Sequence, residues 1–150
     1  MLNKVPRVHA GHIVIAILIL LALTSWRISP RVSAAGTTFT VTNTNGAGAG
    51  SLAQAILDAN ANPGADTIAF NIPGAGPRRI IAVLPAITDT VTIDGGTQPG
   101  FSGTPLITLD GNNSVAGNGF TINAPNCAVR SIALFNFKGT TYISRTREAY

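Results

Sequence analysis

The sequence predicts an all-β protein in which short strands stack as a coil, with one short helix near the start. Between residues 91 and 137, aliphatic side chains alternate with threonine in runs such as VTID, LITLD and FTIN, before a final run, AVRSIALFNF. A period of two is typical of strands with one buried face. The runs recur every twelve to sixteen residues, at Ile93, Leu109, Ile122 and Leu134. That spacing is too long for hairpin turns, so near-repeats with unequal loops favour stacked coils.

Earlier parts of the chain predict three more strands. Residues 37–43 (TTFTVTN) and 66–72 (DTIAFNI) alternate apolar and polar side chains, and residues 79–84 (RIIAVL) form a third run. Residues 73–77 (PGAGP) are rich in Gly and Pro and predict the loop between the second and third of these strands.

A helix of about ten residues is predicted after Ser51, which is a good N-cap residue. It ends within residues 60–64, where Asn, Pro and Gly follow one another. Such a short helix is marginal alone in water, so we expect it to lie on the first coil and cover its apolar interior. Its apolar stripe is Leu52, Ala55, Ile56 and Ala59.

The start of the chain predicts a secretory signal peptide covering residues 1–34. Lys4 and Arg7 provide a cationic start, and residues 13–23 (IVIAILILLAL) are all apolar. Small residues then precede a cleavage site after Ala34 or Ala35. The alternative is an uncleaved membrane anchor, which requires about 20 apolar residues.

Removal of the signal would change the charge of the protein. The full chain has ten Lys and Arg against six Asp and Glu, and four of the basic residues lie before residue 35. The remainder would be near neutral and has no basic stripe, which argues against nucleic acid as a partner.

Cys127 is the only cysteine, so a disulfide framework is excluded. We interpret it as a small packed side chain rather than a nucleophile, because His9 and His12 both lie in the signal.

Residues 37–137 resemble the amino-terminal region of large secreted bacterial proteins with a right-handed parallel β-helix, the pectin-lyase-like architecture. The stretches that carry the resemblance are FTVTNTNGAGAGSLAQAILDANANPGADTIAFNIPG, LPAITDTVTIDGGTQPGFSGTP and GNGFTINAPNCAVRSIALFNF. The family usually has Arg where this chain has Ala53. The resemblance implies that residues 35–137 form the cap and first coils of such a β-helix, in a secreted or cell-surface bacterial protein.

Two aspartates occupy the same place in VTIDG and LITLDG, namely Asp94 and Asp110. If their strands stack, the carboxylates would lie about 5 Å apart. Such a pair could share a proton, match the separation in a retaining glycosidase, or bind calcium. The simpler interpretation, which we favour, is that each Asp builds a turn before Gly.

Other polar and aromatic residues have structural interpretations of the same kind. Arg78 and Arg79 could bind an acidic sugar or an anionic surface, but such a pair is more often a solvated face at a strand start. An asparagine set predicts turn ladders inside the coil, and residues 112–114 (NNS) match a glycosylation sequon. Four phenylalanines are expected in the core or in stacking contacts. The asparagines are Asn112, Asn113, Asn118, Asn123 and Asn126, and the phenylalanines are Phe101, Phe120, Phe135 and Phe137.

Residues 138–150 no longer show the recurring Gly and Asn turn residues of the preceding segments, and they are more charged. This change in composition predicts an atypical tail, from truncation or a frameshift.

The predicted function is that of an exported structural or adhesive protein that presents a long, stiff surface and has no assigned catalytic residue, cofactor or metal. The expected partner is a polysaccharide or a host or cell surface, with membrane contact only through the signal. The alternatives are a polysaccharide lyase or glycoside hydrolase, favoured if Asp94, Asp110 and Arg130 converge in a groove, and a non-functional fragment.

Overall fold

A computed structural model describes residues 34–112, 118–139 and 142–144. Most of the predicted signal peptide, Asn113 and Ser114 of the sequon, and most of the predicted tail lie outside these residues. The elements in chain order are β1 (Thr38–Val41), α1 (Leu52–Ala61), β2 (Asp66–Phe70), β3 (Arg78–Ile81), β4 (Val91–Asp94), a 3-10 helix (Gly95–Thr97), β5 (Ile107–Asp110), β6 (Phe120–Ile122), β7 (Ala128–Arg130), β8 (Ile132–Phe135) and β9 (Tyr142–Ser144).

The strands form three parallel sheets, so the prediction of an all-β protein with one short α-helix is confirmed for the described residues. The first sheet has the order β1-β2-β4-β7, the second β3-β5-β8, and the third β6-β9. Every pairing between these strands is parallel. From β4 onward the chain visits the first, second and third sheets in that order and then repeats the order. Ile87 makes a parallel bridge to Ile122 and so extends the third sheet by one position.

The core is formed by inward-facing columns of aliphatic side chains. Ile68 and Ile93 are in register in the first sheet, and Ile80 and Leu109 in the second. All four are completely buried, and burial of each stabilises the fold by about 1.5–3 kcal/mol. Phe120, from the third sheet, belongs to the same hydrophobic cluster. The three sheets therefore share one core.

Helix α1 forms as predicted. The Ser51 hydroxyl accepts a hydrogen bond from the backbone N–H of Gln54 at 3.1 Å, as an N-cap residue does. The predicted apolar stripe is buried in the core cluster, while Leu57, on the other side of the helix, is half exposed. At the other end, the Asn60 side chain donates to the carbonyl of Ala86 and accepts from the N–H of Thr88. The helix is thus tied to the segment next to Ile87.

The strands predicted at residues 37–43 and 66–72 are observed as the shorter β1 and β2. Two further predictions also differ from the observed strands. The strand predicted at residues 79–84 is Arg78–Ile81, because its partner β5 ends at Asp110, opposite Ile81. The run AVRSIALFNF is two strands, since Ser131 has a φ of 55°. This left-handed residue turns the chain from β7 in the first sheet to β8 in the second. Of the near-repeats counted in the sequence, Ile93, Leu109 and Ile122 therefore lie on three different sheets, and only Leu134 stacks on another of them, Leu109.

Candidate functional site

The outer face of the second sheet carries an apolar column that is interrupted by one carboxylate. Ile81, Asp110 and Phe135 are in register on β3, β5 and β8. Ile81 is 42% exposed and Phe135 is 55% exposed, whereas Asp110 between them is only 5% exposed. Large apolar side chains that remain exposed around a buried charged group mark this face as a candidate site.

Arg79 covers the Asp110 carboxylate. In register Arg79 lies opposite Thr108, so its side chain reaches diagonally along the sheet to the aspartate. Its Nε donates to Asp110 Oδ2 at 2.6 Å, and its Nη2 lies 2.6 Å from the same oxygen. The Arg79 side chain is 56% exposed, so the guanidinium forms an accessible positive edge over a sequestered negative charge.

The other Asp110 oxygen is held by the turns at the ends of β5 and β8. Oδ1 accepts the backbone N–H of Asn112 at 2.7 Å and the side-chain amide of Asn136 at 3.1 Å. The N–H of Asn112, followed by the hydrogen bonds and charge of Arg79 and the Asn136 amide, lowers the pKa of Asp110, and burial opposes this only in part. Asp110 is therefore an ionised carboxylate with both oxygens occupied, and such a group is a poor proton acceptor or donor near neutral pH.

A groove of about 410 Å³ lies beside this pair, which is within the range of small-ligand sites. Part of its wall is apolar and part is the carboxylate and its turn. Gly111 also lines the groove, and a Cβ there would approach the Asn136 carbonyl oxygen and the Phe137 ring to 2.7 Å. The residues that give the groove its character are Ile81, Ala82, Val83, Asp110, Asn112 and Phe137.

The predicted pairing of Asp94 with Asp110 does not occur. Asp94 lies in the first sheet, in register with Arg130, and Asp110 lies in the second. The condition for carboxylates stacked about 5 Å apart is therefore not met, and of Asp94, Asp110 and Arg130 only Asp110 lines the groove. The turn interpretation is confirmed for both aspartates, because Oδ1 of each accepts a backbone N–H two residues on, from Gly96 at 2.9 Å and from Asn112.

The two arginines at the start of β3 have different roles. Arg78 is 9% exposed and holds the preceding loop, where its Nη1 donates to the carbonyls of Ala75 and Gly76 at 2.6 and 2.7 Å. The interpretation of both as a solvated face is wrong for Arg78. The burial of Arg78 could have been predicted from the sequence, because strand alternation puts Arg78 on the same face as the buried Ile80.

The predicted asparagine ladder inside the coil is not observed in the described residues. Asn112, Asn123 and Asn126 are exposed and Asn118 is half-buried, while Asn113 lies outside the described residues. Asn112 and Asn126, together with Asn136, have φ values of 50–56°. Asparagine tolerates this left-handed region better than most residues do, so these side chains mark turns at the surface.

The phenylalanines and the cysteine fit their predicted packing roles except at one position. Phe120 is buried, and Phe101 and Phe137 are half-buried, but Phe135 is exposed on the outer face of the second sheet and is not a core residue. Cys127 is half-buried against the core cluster. Its Sγ lies 3.5 Å from the carbonyl oxygen of Asp89, which is consistent with a packed thiol.

Within residues 34–112, 118–139 and 142–144, no cluster of His, Cys, Asp and Glu is suited to hold a metal ion. In the same part of the chain, no helix has the length and apolar character needed to cross a membrane. Comparisons of this chain with protein-family models, with curated proteins and with solved structures found no match.

Proposed function

We propose that this chain is an exported structural or adhesive protein of the bacterial cell surface or extracellular space, built as a right-handed parallel β-helix over residues 35–137. The observation that carries the proposal is the repeated passage of the chain through three parallel sheets around one core. Helix α1 covers the first coil, and its apolar stripe belongs to that core.

The ladders give such a coil its stiffness. Each strand of a coil pairs with the strand one coil away, so bending would break hydrogen bonds in all three sheets at once. The inward columns add apolar contacts that are aligned along the same axis. A rod of this kind presents its outer faces at fixed positions, which suits adhesion to an extended partner.

The groove beside Asp110 is the proposed contact for a polysaccharide or another cell-surface polymer. The Asn112 turn and the half-buried Phe137 ring line the groove and offer hydrogen-bonding groups and an apolar surface together. Arg79, which contacts the lining residue Asp110, has an exposed guanidinium that adds further donors. Nucleic acid is not the proposed partner, and membrane contact is limited to the signal of residues 1–34.

A polysaccharide lyase or glycoside hydrolase of the same architecture is the alternative. Such an enzyme needs an acid or base that changes protonation during the reaction. The lowered pKa of Asp110 and its occupied oxygens disfavour that role, and Asp94 lies on another sheet. These two observations support the binding function over catalysis.

Expression of the full chain in a bacterial host tests the proposal. We expect a processed product outside the cytoplasm that binds members of a panel of neutral and acidic polysaccharides without shortening them. Val83, 79% exposed in the groove wall, gives a variant with little effect on folding. We expect Val83→Ser to weaken binding about fivefold through loss of about 1 kcal/mol of apolar contact.

Leu57→Ser on α1 is the matched control, because Leu57 is also an exposed aliphatic residue and does not line the groove. It should leave binding unchanged. Retention of the chain in the cytoplasm would refute the export proposal, and shortening of any polymer would favour the enzyme.

A further inference from the structure

Asp66 is a buried carboxylate whose hydrogen bonds are incomplete. It begins β2 and is 2% exposed. Oδ1 accepts the backbone N–H of Thr37 at 2.8 Å and the side-chain amide of Asn62 at 2.9 Å. Oδ2 has no hydrogen-bond donor among the residues that the structure describes. A carboxylate taken out of water with one oxygen unpaired is destabilising unless a cation compensates for it.

The segment that approaches Asp66 is the one that contains the predicted cleavage site. A Cβ on Gly36 would overlap the carbonyl oxygen of Ala65, and a Cβ on Gly64 would lie 2.7 Å from the carbonyl oxygen of Ala34. Residues 34–37 therefore run directly beside residues 64–66. Gly36 is one residue, about 3.8 Å of backbone, from the Thr37 N–H that already binds the carboxylate.

We propose that Asp66 is the binding site for the α-ammonium group that cleavage after Ala34 or Ala35 creates. Hydrolysis adds water across the peptide bond, so the new carboxylate leaves with residues 1–34 or 1–35. The new amine stays on Ala35 or Gly36 and takes up a proton. A neutral amide is thereby replaced by a cation with three donors, one or two residues before the Thr37 N–H that binds the other oxygen of the same carboxylate.

The ion pair at Asp66 couples cleavage of the signal peptide to the stability of the fold. This proposal rests on the export that is proposed above. In the precursor, the buried carboxylate has no compensating cation among the described residues, and this lowers the stability of the fold. After cleavage the ion pair fixes the start of β1 against the start of β2. The precursor is then the less stable form, as a chain that must remain unfolded for export needs to be.

Unfolding of two forms of the chain tests the ion pair. The first form is the full chain, and the second begins at Ala35 and is released from a cleavable fusion that leaves no extra residue. The second form is a fair test because the described residues belong to one compact unit, Ser33–Tyr150, with its own core. Both are unfolded by urea in the same mild detergent.

We expect Asp66→Asn to lower the urea midpoint of the processed form and to leave that of the full chain unchanged or higher. Asp58→Asn is the control, because Asp58 is exposed on α1 and the charge change is the same. It should affect both forms equally. Equal effects of Asp66→Asn on the two forms would overturn the proposal.

A second measurement does not depend on the folding of a variant. The α-amine of the processed wild-type protein should react with an acylating reagent at least about tenfold more slowly than in urea, the factor that a coupling of about 1.4 kcal/mol produces. Reaction at the same rate in both conditions would overturn the proposal. Mass spectrometry of the exported product tests cleavage in the cell separately, so a failure of export is distinguished from a failure of the ion pair.

Discussion

Substitution of Gly95 by Ala tests whether the turn after β4 is seated against the chain between β7 and β8. A Cβ on Gly95 would overlap the carbonyl oxygen of Ser131 and lie 2.9 Å from the Ser131 carbonyl carbon and from Cγ1 of Ile132. Because the nearest atoms are backbone, no side-chain rotation relieves the overlap. Overpacking of this kind costs typically about 1–3 kcal/mol.

The net effect on stability is smaller than the steric cost. Replacing Gly by Ala also restricts the unfolded chain, which stabilises the protein by about 0.4–1 kcal/mol. With a steric cost near the upper limit, we expect Gly95→Ala to lower the free energy of unfolding by about 2 kcal/mol. In a domain of this size, that lowers Tm by roughly 8 °C.

Gly96 supplies the matched control, because it is the next residue of the same 3-10 helix. A Cβ there would meet Asp94 Oδ1 at 3.0 Å, Ser131 Oγ at 3.3 Å and the Phe101 ring at 3.5 Å. All three are side-chain atoms that can shift slightly, so we expect a change of less than about 1 kcal/mol.

Thermal and urea unfolding of the full chain, followed by circular dichroism, provide the comparison between the two variants. If Gly95→Ala is as stable as Gly96→Ala, then the turn after β4 does not lie against Ser131. In that case the succession of the first and second sheets described above would be incorrect.

The remaining predictions concern the core, the helix cap and the ionised carboxylate of Asp110. Leu109→Ala should lower the free energy of unfolding by about 2–5 kcal/mol, because Leu109 is completely buried. Thr108→Ala, at the adjacent half-buried position, should change it much less. Similar urea midpoints for the two variants would contradict the assignment of Leu109 to the core. Ser51→Ala should cost about 0.5–2 kcal/mol through loss of the Gln54 N–H bond, and an unchanged midpoint would contradict the cap. For Asp110, the pKa in the folded state lies below the ordinary value of 3.8. Its contribution to stability is therefore complete above about pH 4 and is lost as the pH falls through the lowered pKa. The difference in urea midpoint between the wild type and Asp110→Asn should accordingly shrink below pH 4, and a constant difference would refute the role of ionisation.

Local elements could be predicted from the sequence because their signals are local. The Ser51 cap and the apolar stripe determine α1, and alternation in the run containing Ile93 determines β4, whatever the rest of the chain does. Arg78 shows that alternation carries more information than composition does. Its position two residues before Ile80 predicts burial, whereas the charge of the pair suggested exposure.

The arrangement of strands on sheets could not be predicted by the same means. Which strands stack depends on where the chain turns, and the left-handed turn at Ser131 lies inside a run that otherwise reads as one strand. The partner of Asp110 was missed for a related reason. Arg79 lies on the neighbouring strand, far away in sequence, and only the β3–β5 register brings the two residues together.

The turn after β4, which leads to the second sheet, and the turn after β5, which lies at the candidate site, are of the same kind. At the end of β4, Gly95 lies beneath the carbonyl of the left-handed Ser131, and at the end of β5, Gly111 lies beneath the carbonyl of the left-handed Asn136. In each turn the preceding aspartate accepts the N–H two residues on. At the second turn, Asn136 also donates its side-chain amide to Asp110. The close approach that a glycine permits between neighbouring chain segments therefore also completes the set of donors that keeps Asp110 ionised beside the groove.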